Sequence, residues 1–115
     1  MNQLPNYSNA YIGLEKLTEY CLNEFHPYGK AKAVVFKSAL GITSKDAELL
    51  KDAILMGLGS SNAMEKDTDE YGKRYEVMIN IRNFAQEANV TTCWIIKTDE
   101  DFPRLTSCYI KRNKK

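Results

Sequence analysis

The order of periodicities along this chain predicts an α+β domain, with N-terminal helices packed on one face of a three- to four-stranded antiparallel sheet. Apolar residues recur at helical spacing through residues 14–59 and then switch to strict alternation after Gly72. Connections in the second half are too short for crossover helices, so the strands should form a meander. Helices followed by strands, rather than alternating βαβ units, are the signature of segregated α+β architecture.

Residues 1–13, MNQLPNYSNAYIG, are polar and contain Pro5. They read as an extended arm. Leu14, Leu17, Cys21 and Leu22 then set out a helix over residues 14–22, in which Tyr20 flanks the apolar stripe as packing. Pro27 and Gly29 interrupt the pattern. A second helix is expected over residues 30–40, with Ala33, Phe36, Lys37 and Leu40 spaced as its inward-facing stripe and Gly41 terminating it. Thr43 or Ser44 offers a cap for a third helix, with Asp46 in its first turn, and Ala47, Leu50, Ala53 and Ile54 form its stripe up to Gly57 and Gly59.

Residues 60–72 are polar and acidic, and predict a solvated loop with at most a short strand. From there Tyr75, Val77, Ile79 and Ile81 alternate with Arg74, Glu76, Met78, Asn80 and Arg82, the pattern of a strand with one buried face. A further strand is predicted over residues 90–97, rich in β-branched residues and containing Trp94, and a last one over residues 104–111. In that last strand, simple alternation groups Leu105, Ser107 and Tyr109 against Arg104, Thr106, Cys108 and Ile110. Residues 60–115 thus form the meander and its basic tail, Lys111, Arg112, Asn113, Lys114 and Lys115.

At 115 residues the chain suits a single domain, 1–115, with a core of its own. Hydrophobic residues make up 43% and charged residues 27%, which excludes a disordered or fibrous chain. The net charge of +1 supplies no global attraction for nucleic acid, so any such contact must be local. Cys21, Cys93 and Cys108 are odd in number and lack CxxC spacing, which argues against a zinc site or a disulfide framework and for a reducing compartment. With a single His and no calcium-loop spacing, neither a metal nor a cofactor is expected. No apolar run approaches the roughly 20 residues that a membrane anchor needs. No glycine-rich phosphate loop follows a strand.

Chemistry-bearing residues concentrate in NEFHPYGKAKAVVFK, residues 23–37. His26 can carry a proton at neutral pH, and Lys30 and Lys32 stand at the mouth of a helix where an ammonium could meet charge building on a phosphorus. The same residues also read as a loop histidine or helix cap beside solvated lysines. Arg74 and Arg82 could grip phosphate or be ordinary exposed strand residues. Thr106, Ser107 and Tyr109 could donate to phosphate oxygens without a metal. A Cys–His hydrolase pairing of Cys21 with His26 is opposed by the place of Cys21 in an apolar stripe.

Several blocks together, LPNY, KLTEYCLNEFHPYGKAKAVVF, DEYGKRYEV and TTCWIIKT-DFPRLTSCYI, resemble a bacterial domain-of-unknown-function family. Its members carry a run similar to Leu-Asn-x-x-His-Pro-x-Gly-x-x-Lys-Ala and a closing strand similar to Pro-Arg-Leu-Thr-Thr/Ala-x-Tyr. This chain departs from the pattern at Phe25, where a smaller or acidic residue is usual. That family in turn resembles toxin ribonucleases of the BECR (barnase/EndoU/colicin/RelE-like) group. The resemblance implies a metal-independent endoribonuclease of a bacterial toxin or toxin–antitoxin system. Its catalytic residues would be His26, Lys32, Arg74, Thr106 and Tyr109, with Lys30, Tyr71, Arg82 and Ser107 binding substrate. It further implies an RNA substrate such as tRNA, a cognate immunity or antitoxin protein, and action in the cytoplasm, after delivery within a larger effector if the chain is secreted. The alternative is a non-catalytic module that binds another protein as an immunity or regulatory factor.

Overall fold

Three helices precede an antiparallel sheet of four strands in the computed structural model, which describes residues 2–111. Arg112, Asn113, Lys114 and Lys115 of the basic tail lie outside the described residues.

After a short 3-10 turn at Tyr7–Asn9, the first helical segment begins as α1 (Leu14–Lys16) and continues as a π-helical turn, Leu17–Cys21. An uninterrupted α-helix over residues 14–22 is therefore corrected. The reason lies in the apolar spacing. Leu17 and Leu22 are five residues apart, which an α-helix would place about 140° from each other. The wider turn brings both onto the core side, with Leu22 N–H bonded to Leu17 O at 2.8 Å and both side chains buried.

Helix α2 (Lys30–Leu40) has the predicted bounds and buries Ala33, Phe36 and Leu40. Gly41 ends it at φ 66°, a left-handed conformation in which its N–H reaches Lys37 O while Ile42 N–H reaches Phe36 O. A 3-10 turn, Ser44–Asp46, leads into α3 (Ala47–Leu58). Asp46 reaches back to accept the Thr43 N–H at 3.0 Å, half of a capping box. Gly57 does not end α3 but lies within it, because a side chain there would collide with Ile79.

The segment read as an acidic loop contains a full strand, β1 (Ala63–Asp69). All but Ala63 are exposed, so neither face alternates and the strand leaves no period-two signal. It pairs with β2 (Gly72–Asn83), which pairs along its whole length with β3 (Gln86–Lys97), which pairs with β4 (Arg104–Ile110). Strand β3 starts four residues earlier than predicted, because Phe84 adopts φ 57° and closes a tight hairpin.

One face of the sheet meets the helices. Tyr75, Val77 and Ile79 of β2 stand beside Trp94, Thr92 and Val90 of β3, all buried against a core that includes Leu17, Phe36, Leu50 and Ile54. In β4 the predicted alternation fails. Cys93 pairs with Ser107 while the adjacent Trp94 pairs with Leu105, so Thr106 is an inserted residue. This bulge shifts the phase by one residue. Leu105 thus joins Cys108 on the buried side, and Tyr109 lines the hollow on the other face.

Candidate functional site

Around Tyr20, the side chains of His26 and Lys32 come together. The Asn23–Gly29 turn, enforced by Pro27 and by Gly29, where a side chain would strike the Tyr20 carbonyl, folds His26 back on the start of α2. His26 Nδ1 accepts the backbone N–H groups of Tyr28 and Gly29, each at 3.0 Å. Two donors on one nitrogen require its lone pair, which leaves the ring hydrogen on Nε2. The imidazole therefore braces the turn that leads into α2, and Nε2 has no partner among the described residues.

The His26 ring stands edge-on to Tyr20, with centroids 4.9 Å apart. From the first turn of α2, Lys32 Nζ donates to Tyr20 Oη at 3.0 Å. This bond, ahead of the opposing effect of burial, raises the Lys32 pKa. Lys32 and Tyr109 line one mostly apolar groove of about 400 Å³ between α2 and β4, with Ala31, Val35 and Ile110.

Tyr109 also borders a second hollow, of about 480 Å³, on the sheet face away from the helices. Lys66, Glu76, Thr91 and Lys111 line it, and Lys66 Nζ lies 3.9 Å from Glu76. Burial first, then the neighbouring Cys93 and Glu76, raise the Tyr109 pKa. A carboxylate, ammonium groups and a phenol thus line one hollow that crosses the outer face of the sheet to the β4 edge.

A thiol cluster underlies this edge. Cys21 Sγ accepts the Cys108 N–H at 3.4 Å. Its pKa is lowered, chiefly by the Cys108 thiol against the effect of burial, with Ser107 and Lys32 adding to the shift. The Cys108 thiol moves well upward in return. Burial pushes Cys93 up to about 11. Cys21 itself is fully buried, as its place in the apolar stripe implied.

The remaining predicted residues are scattered. Arg74 is bound to Asp69 at 2.8 Å, and Arg82 to Glu87 at 3.3 Å. Their rows on β3, Ile95 and Glu87, each lie four residues from Thr91, the partner of Tyr109. At 3.3 Å per residue each arginine is displaced about 13 Å along the sheet, in opposite directions, so the two cannot share one phosphate with Tyr109. Tyr71 is exposed in the β1–β2 turn and Lys30 is exposed at the start of α2. Thr106 donates to Cys93 O at 3.2 Å and faces a different hollow, beside Arg104. Ser107 is half-buried beside Cys21.

Tyr20, Glu76 and Lys66 were not singled out from the sequence. Glu76 carried a signal, since it alternates with the buried face of β2 just as Arg74 does. Lys66 carried none, because β1 has no readable period. Among the described residues no three of His, Cys, Asp and Glu assemble as a metal-binding group, and no helix is long and apolar enough to cross a membrane.

Fold and site together define an α+β domain whose helices cover one face of an antiparallel four-stranded meander, with a polar cluster at the β4 edge. The chain belongs to the family DUF6883, a domain of unknown function, whose family model matches residues 3–112. No curated protein and no solved structure matches the chain.

Proposed function

We propose that this domain is a metal-independent endoribonuclease of the bacterial toxin type, similar to the BECR group, with its cleavage centre at the α2–β4 edge. The observation that carries the reading is the Tyr20 bridge, which holds His26 on one side and Lys32 on the other, with Lys32 sharing a groove with Tyr109. In this reading His26 exchanges a proton with the ribose 2′-oxygen or the leaving 5′-oxygen through Nε2, a step for which Nδ1 must carry a proton and so release the Tyr28 and Gly29 N–H groups when substrate binds. Lys32 meets the charge on the phosphorane, Tyr109 donates to a phosphate oxygen, and Glu76 is positioned to serve as a second proton acceptor. The product is a 2′,3′-cyclic phosphate. Arg74, Arg82 and Thr106 stand outside this centre. An RNA-cleaving domain acting in the cytoplasm calls for a neutralising immunity or antitoxin protein.

The test is incubation of the purified chain with total bacterial RNA in excess EDTA, beside folded Lys32→Ala, Tyr109→Phe and His26→Asn variants. Discrete cleavage by the wild type, lost in Lys32→Ala, supports the reading. Equal cleavage by every variant removes the centre from this edge, and absence of cleavage by the wild type overturns the ribonuclease itself.

A second reading, a protein-binding module, is favoured by one feature. The outer face of α2 leaves Val34 exposed beside Ala31, Val35 and Pro27, forming a shallow apolar groove. Harmless expression of the chain alone would favour it, whereas growth arrest would oppose it.

A further inference from the structure

Two aromatic rings project into solvent directly beside the candidate centre. Phe25 is 93% exposed and Tyr28 is 79% exposed, on either side of His26 and Pro27. Exposure of this degree leaves most of the apolar surface of each ring in water, which folding alone does not reward.

The backbone beneath the rings is nonetheless fixed. Asn23 Oδ1 accepts the Phe25 N–H at 2.9 Å, His26 Nδ1 accepts the Tyr28 N–H, and His26 O accepts the Lys30 N–H at 3.0 Å. Cations follow at Lys30 and Lys32. The nearest carboxylate in the turn, Glu24, lies 3.9 Å from Lys37. Exposed aromatics on an ordered turn, interleaved with cations, are the elements of a stacking platform for unpaired bases.

We propose that Phe25 and Tyr28 bind single-stranded RNA by stacking on its bases, and that Lys30 holds the adjoining phosphate, making unpaired segments the substrate class of the centre. This rests on the ribonuclease reading. Bases within a duplex have their faces covered, so the platform selects loops and single strands.

The experiment measures binding of a short fluorescent single-stranded 2′-O-methyl oligonucleotide, which cannot be cut by 2′-OH attack, and of the same sequence as a duplex. Phe25→Ala and Tyr28→Ala should each weaken single-strand binding by about tenfold. Phe25→Trp should retain it and Phe25→Leu should not. Phe84, also 93% exposed but at the β2–β3 hairpin tip, is the control, and Phe84→Ala should leave binding unchanged. Wild-type affinity in Phe25→Ala and Tyr28→Ala, full rescue by Leu, or equal binding of duplex would each overturn the platform. Failure of the cleavage assay with this binding intact would instead count against the ribonuclease reading alone.

Discussion

His26 Nδ1 holds the turn before α2, whereas Nε2 is the nitrogen that the proposed cleavage would use, and substitution can separate the two. Asn places a carbonyl oxygen near the position of Nδ1, so His26→Asn should keep the turn before α2 and the wild-type melting temperature while abolishing RNA cleavage. His26→Ala should in addition lose about 1 kcal/mol of stability, through loss of its hydrogen bonds to the turn, in denaturant titration. If His26→Asn cleaves RNA normally, the imidazole serves the turn and nothing more.

Lys32 makes a pH-dependent contribution of known sign. Its folded-state pKa is raised above the ordinary 10.5, chiefly by the bond to Tyr20. The stabilisation is therefore fully present below pH 10.5 and fades as pH rises through the folded value. The stability advantage of the wild type over Lys32→Met should be flat through neutral pH and shrink only in the alkaline range above 10.5. The screened, partly exposed position of Lys32 keeps this advantage small. At Thr92, the hydroxyl accepts from Trp94 Nε1 at 2.7 Å and donates to Val77 O at 2.7 Å, all in the buried core. Thr92→Val orphans both partners and should cost about 1–3 kcal/mol in equilibrium unfolding.

Among the elements, α2 was the most legible and β4 the least. Breakers on both sides, Pro27 and Gly29 before and Gly41 after, bracket α2, and a regular apolar stripe fills it. Gly41→Ala puts a side chain into a left-handed turn at φ 66° and against Gln86. It should lower stability by about 1–2 kcal/mol, measured by thermal or denaturant unfolding. In β4 the residue types gave the strand correctly but not its faces. Thr106 is inserted by pairing with β3, and nothing in RLTSCYIK marks a bulge, so Leu105 was grouped with Ser107 and Tyr109. The π turn before Cys21 escaped notice for a related reason, since its spacing serves the packing of Leu17 and Leu22 rather than a local preference. Strand β1 was hidden because an exposed edge strand has no buried face to alternate against.

Across the whole molecule, a single core joins the helices to the sheet, and Trp94, the one tryptophan, sits fully buried within it. Unfolding followed by Trp94 fluorescence should therefore coincide with unfolding followed by far-ultraviolet circular dichroism, as one cooperative transition. Separate transitions would show that helices and sheet come apart independently.

Residue periodicity by itself determined the α+β class, the bounds of α2, the buried faces of β2 and the chemical promise of His26 and Lys32, because each depends on neighbours within a few residues. Only the tertiary structure decided that Tyr20 joins His26 to Lys32, that Lys32 and Tyr109 line one groove, and that Arg74 and Arg82 stand apart. Those outcomes depend on strand register and on the docking of α2 against β4, which bring together residues far apart in the chain and leave no local pattern in it.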